Sequence, residues 1–272
     1  MKLDIRGVSY NVECIGHGEP LLLIHGFTGS LLQWKSLAVS LSNTYQLIMV
    51  DMLGHGESEA PKQVERYSTA EVVEDLAVLL QRLHLDKMHV LGYSMGGRIA
   101  LSFAMLKKEL VLSLIMESSS PGLASEEERL ARIQSDHSLA DHIEQQGIEW
   151  FADYWGKLPL FNTLQQLPEL RQRQLHEARL RNCPFGLAQS LRGIGTGQQP
   201  SWWQQLGELT LPVLLIAGEL DKKYCAIAEE MHRRLPQAQL NIMSAAGHNV
   251  HVEQPRLFDT IIKRFLDKKG MV

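Results

Sequence analysis

The sequence predicts a protein of the α/β class, in which helices cover both faces of a mostly parallel sheet. Short, wholly apolar runs such as residues 21–24 and 213–217 are typical of strands buried on both faces. Segments with the apolar spacing of helices separate these runs, and strands that alternate with helices form parallel sheets. One long segment without a strand, residues 123–206, interrupts the alternation.

The composition limits the possible classes of protein. At 272 residues, with 44% hydrophobic residues and a net charge of −4, the chain fits one large domain with an insertion. This charge does not indicate a nucleic-acid or membrane partner. Cys14, Cys183 and Cys225 form no C-x-x-C pair, which argues for a reducing compartment. No signal peptide or membrane span is recognisable, so we expect a cytoplasmic protein. As a separate expectation, it is a monomer or weak homo-oligomer.

The first part of the chain is predicted to form most of the sheet. Residues 8–15 alternate like an edge strand that pairs with residues 2–6. A capping box, Ser68 to Glu71, begins a helix that extends to about residue 83. The buried strands are predicted at residues 21–24, 46–51, 90–91 and 111–116.

Residues 123–206, here called the insertion, are predicted to be helical. They contain four of the five tryptophans and seven arginines, but one lysine and ten acidic residues. Because ligands bind at the carboxyl ends of parallel strands, an insertion after such an end should cover the site as a lid. The predicted organisation is a core (1–122), a helical lid (123–206) and the rest of the core (207–272). The last part should hold strands at 213–217 and 239–243, and helices near 226–234 and 255–267.

A Gly-x-Ser-x-Gly motif at residues 92–96 lies between a buried strand and a helix. This is the context of a nucleophile elbow, in which a strained serine stands at a sharp turn. Gly92 and Gly96 would leave room for the crowded backbone around Ser94. The following helix N-terminus adds positive potential. The alternative is a glycine-rich turn that only packs a helix on the sheet.

A serine nucleophile needs a histidine that takes its proton and an acid that orients the histidine. In an elbow fold these residues follow in the order Ser, Asp or Glu, His. Asp221 and His248 each follow a predicted strand, at the edge where the site should lie. Asp221 is preferred because its strand directly precedes that of the histidine. The alternatives are His251 as the base and Glu117 or Glu219 as the acid.

The remaining groups of such a site are anion-binding groups. The backbone N–H groups of Phe27 and Met95 are candidates for an oxyanion hole. Arg98 lies one turn into the helix after Ser94, where a cation opposes the helix dipole. It is therefore either a surface arginine that packs over the sheet or, as we favour, an anion contact in the pocket. Arginines such as those of the insertion bind carboxylates bidentately.

Several motifs together resemble a known family. They lie at residues 92–98, 120–123, 131–136, 151–155, 179–182, 191–201 and 247–251. The whole pattern resembles the α/β-hydrolase fold. The insertion motifs resemble, more specifically, the 2-succinyl-6-hydroxy-2,4-cyclohexadiene-1-carboxylate (SHCHC) synthases of menaquinone biosynthesis.

The resemblance implies a lyase that uses a Ser-His-Asp triad and no cofactor. Its substrate would be 2-succinyl-5-enolpyruvyl-6-hydroxy-3-cyclohexene-1-carboxylate, from which it eliminates pyruvate. Ser94 would remove a ring proton, supported by His248 and Asp221. The resemblance also implies that Arg98, Arg132 and Arg181 bind substrate carboxylates and that Tyr93 and Trp155 contact the substrate. Arg179 competes with Arg181 for its position, and Tyr154 competes with Trp155.

Two other functions remain open at this point. A serine hydrolase of an ester or a carbon–carbon bond shares the triad, but a neutral ester does not explain an arginine near the nucleophile. A non-catalytic ligand-binding protein of this fold would not need a complete triad. The sequence has no metal-ligand spacing and no dinucleotide-binding motif after a strand. We therefore expect no metal or cofactor. The resemblance implies a small polycarboxylate as the partner.

Overall fold

The computed structural model describes residues 1–267, and its centre is an eight-stranded sheet. The strands are β1 (Lys2–Ile5), β2 (Val8–Ile15), β3 (Glu19–Ile24), β4 (Tyr45–Val50), β5 (Met88–Tyr93), β6 (Val111–Glu117), β7 (Val213–Gly218) and β8 (Ala238–Met243). Their order is β1-β2-β4-β3-β5-β6-β7-β8. The sheet is parallel from β4 to β8, whereas β1 and β2 run antiparallel. The predicted mostly parallel sheet is confirmed.

Helices cover both faces of this sheet. They are α1 (Lys35–Leu41), α2 (Thr69–Arg82), α3 (Met95–Leu106), α4 (Glu126–Gly156), α5 (Glu169–Leu180), α6 (Pro184–Ile194), α7 (Lys222–Arg234), α8 (Val250–Glu253) and α9 (Pro255–Asp267). Successive side chains of a strand point to opposite faces. Leu22 of β3 therefore packs in the core cluster that includes Leu76 of α2, whereas Leu23 packs in the cluster that includes Phe258 of α9.

Helix α7 begins earlier than the sequence pattern predicted. The prediction placed a helix near residues 226–234, but α7 starts at Lys222. The reason is a cap, because Asp221 Oδ1 accepts the backbone N–H of Tyr224 at 3.3 Å. This cap holds Asp221 at the carboxyl end of β7.

The insertion contains three α-helices and no strand among its residues 123–206. Helices α4 and α6 pack against each other around Ile143, Phe151 and Leu187. Gly147 adopts a φ of 83° inside α4 and kinks it, a conformation that side chains with a Cβ rarely adopt. A 3₁₀ helix, Pro159–Gln166, connects α4 to α5.

Two further features of the chain relate to the predictions. The predicted C-terminal core segment extends to residue 272, and its residues 268–272 lie outside the described part. Among the helices of residues 1–267, none combines the length and apolarity needed to cross a bilayer.

Candidate active site

Ser94 stands at the sharp turn between β5 and α3. Its φ of 51° and ψ of −108° are strained for a residue with a side chain. The neighbouring backbone holds this strain, since Ser94 N–H donates to the Glu117 carbonyl at 2.9 Å. A Cβ on Gly96 would lie 2.2 Å from the carbonyl oxygen of Ile24. The turn therefore requires a glycine at this position.

Ser94, His248 and Asp221 form a continuous chain of hydrogen bonds. His248 Nε2 lies 3.1 Å from Ser94 Oγ, and His248 Nδ1 lies 2.6 Å from Asp221 Oδ2. All three follow parallel strands whose carboxyl ends meet at the same edge of the sheet. With its Nδ1–H donated to the carboxylate, the imidazole presents Nε2 as the acceptor for the serine proton. The arrangement can activate an oxygen base or nucleophile.

The alternative acids and base contact other groups. His251 and Glu117 pair with each other, with His251 Nδ1 at 2.8 Å from both carboxylate oxygens. Glu219 accepts the backbone N–H of Ala245 at 3.2 Å. The contacts of Ser94 and His248 thus favour Asp221 and His248 over these candidates.

The two N–H groups proposed for an oxyanion hole are free to bind an anion. Phe27 lies in the loop after β3, and Met95 is the first residue of α3. Neither N–H has a hydrogen-bond acceptor among residues 1–267. First-turn N–H groups of a helix have no partner within the helix, so Met95 offers its donor at the positive end of α3.

Arg98 is partly buried between α3 and the end of the insertion. Its Nη1 donates to the Ile194 carbonyl at 2.9 Å and to Gln199 Oε1 at 3.2 Å. Within the described chain it has no carboxylate in salt-bridge range. Burial lowers its pKa to about 10, and the positive charge of Arg132 acts in the same direction. At neutral pH Arg98 is a partly buried cation with no carboxylate of the described chain in salt-bridge range.

Arg132 lies on α4 and is half exposed. Its Nε donates to Asp136 Oδ1 at 2.8 Å, one turn further along the helix. The other carboxylate oxygen of Asp136 is buried and has no partner among the described residues. The charges of Arg132 and Asp136 both act on Arg98, so the three groups lie in one region.

The structure places Arg179, and not Arg181, next to the site. The side chain of Arg181 is 65% exposed, and its Nη2 lies 3.8 Å from Glu177 Oε2, which argues against Arg181 and for Arg179 as the substrate contact. The guanidinium carbon of Arg179 lies 5.7 Å from the ring centroid of Phe161, and that ring lies 6.1 Å from His248. Two helical positions that are two residues apart point about 200° apart, so one arginine faces inward and the other faces outward.

The environment of Arg179 also affects its charge. Partial burial lowers the pKa of Arg179, which has no carboxylate in salt-bridge range within residues 1–267. The positive charge of Arg179 also reaches Tyr93, where it opposes the rise in the phenol pKa that burial causes. Arg179 is therefore a second partly buried cation at this site with no carboxylate of the described chain in salt-bridge range.

Aromatic side chains line the space around His248. The Tyr93 ring lies 5.4 Å from the imidazole. The ring centroids of Trp155 and Phe27 lie 5.2 Å apart. The buried indole N–H of Trp155 has no acceptor among the described residues. Tyr154 instead is 42% exposed and stacks on Trp150. Of these two competing residues, Trp155 is the one that lies near the site.

Tyr224 and Phe161 contact His248 but were absent from the predicted set. The Tyr224 ring lies 4.7 Å from the imidazole. Burial raises its pKa, and the positive charges of Arg98 and Arg132 oppose this rise. The position of Tyr224 in the first helical turn after Asp221 could have indicated that it lies near the site. Phe161 lies in the 3₁₀ helix of the insertion, and no motif marks it.

Two cavities adjoin these residues. One of about 320 Å³ lies within the insertion and is lined by Phe161 and Arg179. The other, of about 250 Å³, is lined by Asp221, His248 and Thr163. Among residues 1–267, no group of three or more His, Cys, Asp or Glu side chains could hold a metal ion.

Comparisons with known proteins agree with the geometry. The family model of the α/β hydrolase fold matches residues 19–255. A protein of Bacillus subtilis (strain 168) with the provisional name 2-succinyl-6-hydroxy-2,4-cyclohexadiene-1-carboxylate synthase is 48% identical over 262 residues, which cover 96% of this chain and 95% of that protein.

Two solved structures extend the comparison. The structure of MenH from S. aureus has a TM-score of 0.92 and 34% identity, and covers 96% of this chain and 98% of that one. A thermophilic esterase from Thermogutta terrifontis with malate bound has a TM-score of 0.88 and 26% identity, and covers 98% of each chain. The chain therefore belongs to the α/β-hydrolase family and, within it, to the 2-succinyl-6-hydroxy-2,4-cyclohexadiene-1-carboxylate synthases.

Proposed function

We propose that the protein eliminates pyruvate from 2-succinyl-5-enolpyruvyl-6-hydroxy-3-cyclohexene-1-carboxylate in menaquinone biosynthesis. The observation that carries the proposal is a complete Ser-His-Asp chain beside two partly buried arginines, Arg98 and Arg179, that have no carboxylate of the described chain in salt-bridge range. A buried cation is costly unless an opposite charge pairs with it. A substrate with three carboxylates supplies such charges.

The reaction begins with removal of the ring proton next to the succinyl carbonyl. Ser94 Oγ takes this proton while His248 takes the serine proton, and Asp221 stabilises the imidazolium. The electron pair enters the ring and shifts its double bond, and the carbon–oxygen bond to the enolpyruvyl group breaks. The leaving enolpyruvate takes up a proton and becomes pyruvate, so no water is consumed.

Each remaining group has one role in this proposal. The N–H groups of Phe27 and Met95 stabilise the negative charge that develops on the succinyl carbonyl oxygen. The substrate carboxylates are bound by arginines, and aromatic residues close the pocket around the ring. The arginines are Arg98, Arg132 and Arg179, and the aromatic residues are Tyr93 and Trp155.

We also propose that residues 123–206 act as a lid on a core formed by residues 1–122 and 207–272. The proposal is supported by contacts across this boundary, including Arg98 with Ile194 and Trp155 with Phe27. Such a lid would exclude water from a reactive enolate. The cytoplasmic location, the independence of a cofactor, the lack of a nucleic-acid or membrane partner and the monomer or weak homo-oligomer stay predictions from the sequence.

The second candidate is a serine hydrolase of an ester or a carbon–carbon bond. The observation in its favour is the similarity to an esterase together with a triad that would serve both reactions. Arg98 and Arg179 argue against a hydrolase, because a neutral ester would leave the positive charges of both arginines unpaired. A non-catalytic binding protein is disfavoured by the hydrogen-bonded triad.

The test supplies the purified protein with the enolpyruvyl substrate and, separately, with p-nitrophenyl acetate. Pyruvate is measured by coupling to lactate dehydrogenase, and the cyclohexadiene is measured by its absorbance. The proposal predicts equal amounts of pyruvate and diene, with a kcat/KM far above that for the ester. Ester hydrolysis without diene formation would establish the second candidate instead.

A further inference from the structure

A second buried histidine–carboxylate pair, Glu117 with His251, lies next to the triad and has no role in the proposed reaction. The Glu117 side chain is fully buried, and His251 is 8% exposed. Glu117 Oε1 accepts the backbone N–H of His251 at 3.0 Å, and both carboxylate oxygens lie 2.8 Å from His251 Nδ1. The pair thus joins the end of β6 to the start of α8.

The far side of the His251 ring is fixed as well. Gln33 Nε2 lies 2.8 Å from His251 Nε2 and donates to it, which leaves the ring proton on Nδ1 for Glu117. The centroid of the His251 ring lies 4.9 Å from that of Trp34 and 4.8 Å from that of Tyr93. These contacts hold His251 in one orientation. Both of its ring nitrogens are already hydrogen-bonded, so neither is available to act as the base in place of His248.

Glu117 contacts Ser94 directly and the segment that carries His248 through His251. Its backbone carbonyl accepts the N–H of Ser94 at 2.9 Å. Its side chain holds His251, which follows His248 by three residues in the same connection after β8. One residue therefore fixes the strained turn of the nucleophile and the segment that carries the base.

We propose that Glu117 and His251 are positioning residues that set the distance between Ser94 Oγ and His248 Nε2. This distance is 3.1 Å, at the long end of the range for proton transfer, so a small displacement of the histidine segment would break the contact. A displacement of about 1 Å can lower a rate about a hundredfold. The proposal rests on the catalytic role assigned to the triad.

The test compares variants that keep and remove this contact. Glu117→Leu keeps most of the volume but removes the acceptors. His251→Phe keeps the ring packing and removes the Nδ1–H, so it tests the same contact from the other side if Glu117→Leu does not fold. Glu117→Gln keeps one acceptor oxygen and is the conservative variant. Asp75→Asn is the matched control, because Asp75 is a buried carboxylate of α2 that binds Arg6, Arg66 and Tyr10 away from the site.

Two readouts separate positioning from folding. The first is the rate at which a fluorophosphonate labels Ser94, which forms an oxygen–phosphorus bond, releases fluoride and needs His248 but not the proposed substrate. The second is kcat and KM for pyruvate release. We expect Glu117→Leu and His251→Phe to lower labelling and kcat by about tenfold or more, with KM within about threefold. Glu117→Gln should stay within about threefold of wild type in both.

The Asp75→Asn control separates a positioning role from a general loss of stability. Asp75→Asn should lower the melting temperature while the folded protein is labelled at the wild-type rate. Wild-type labelling in both Glu117→Leu and His251→Phe would overturn the positioning role. An equal loss of labelling in Asp75→Asn would reduce that role to general stability. A wild type that is labelled rapidly but releases no pyruvate would refute the proposed function alone, since the labelling comparison does not use that substrate.

Discussion

At the scale of single residues, Arg98 separates the two candidate reactions. It donates to two groups near the end of the insertion, Ile194 and Gln199, and still lacks an anionic partner within the described chain. In the proposed function its charge binds a substrate carboxylate, whereas its contacts to the insertion hold the side chain in place. The two roles can be separated because a neutral ester needs only the second.

We predict that Arg98→Ala lowers kcat/KM for the lyase reaction by about tenfold to a hundredfold. A charge-assisted hydrogen bond contributes about 1.5–3 kcal/mol, and about 1.4 kcal/mol corresponds to a factor of ten. Arg98→Lys should recover part of this loss, because it keeps the charge without the planar fork. The measurement is kcat/KM for both variants on the enolpyruvyl substrate and on an activated neutral ester.

The control for Arg98 is Gln199→Leu, which removes one contact to the insertion and keeps the charge. Its lyase activity should stay within a few-fold of wild type. Equal losses of Arg98→Ala on both substrates would mean that Arg98 supports the elbow structurally, and its role as a carboxylate contact would be withdrawn.

Arg179 and Arg181 form a matched pair for a second prediction. Arg179→Ala should lower kcat/KM for the lyase reaction about tenfold or more, because it removes a partly buried cation near Phe161 and Tyr93. Arg181→Ala should stay within about twofold, since its side chain is exposed. Steady-state kinetics of both variants, with circular dichroism as a folding control, measure the difference. The reverse ranking would restore Arg181 as the substrate contact.

At the scale of elements, the turn between β5 and α3 determines where the nucleophile stands. Gly96 packs against the end of β3, where a Cβ would meet the Ile24 carbonyl oxygen. The helix and the strand can approach this closely only without a side chain. The strained turn therefore depends on a contact between two elements as well as on the local sequence.

We predict that Gly96→Ala lowers the free energy of unfolding by about 1–3 kcal/mol, despite the higher helix propensity of alanine. Gly207→Ala is the control, because a Cβ there would have its nearest neighbour at 3.9 Å. That change should stay within about 0.5 kcal/mol. Urea unfolding of both variants gives the comparison. An equal effect at the two positions would remove the close approach as the reason for glycine in the elbow.

Strand ends were predictable, and side-chain directions within the insertion were not. Asp221 and His248 could be identified because the carboxyl ends of parallel strands meet at one edge, whatever the helices do. The choice between Arg179 and Arg181 depends on how α5 is rotated against the core. That rotation is set by tertiary packing, and the polar sequence of α5 carries no apolar stripe that reveals it.

The Glu117–His251 pair illustrates the same limit in the core. Each residue appeared as a rival for a triad position, because each follows a strand or lies beside the base. Their pairing depends on β6 lying between β5 and β7, which brings the Glu117 carboxylate to the start of α8. The order of the strands along the chain does not reveal this contact, because the contact depends on the order of the strands in the sheet.

At the scale of the whole molecule, we propose that the core and the insertion contribute different chemistry to one site. In this proposal the core supplies the triad, the N–H groups of Phe27 and Met95, and Arg98. The insertion would add Arg132, Arg179 and Trp155. A protein with a net charge of −4 would thus concentrate partly buried positive charge where a polycarboxylate binds. Catalysis and substrate selection should therefore be separable by mutation.

The roles of Ser94 and His248 are tested by kcat/KM for diene formation in Ser94→Ala, His248→Ala and the double variant. Each single change is expected to lower kcat/KM by orders of magnitude. The double change should cost little more than either one, because the serine and the histidine act as a unit. Wild-type diene formation by Ser94→Ala, or fully additive losses in the double variant, would contradict the account.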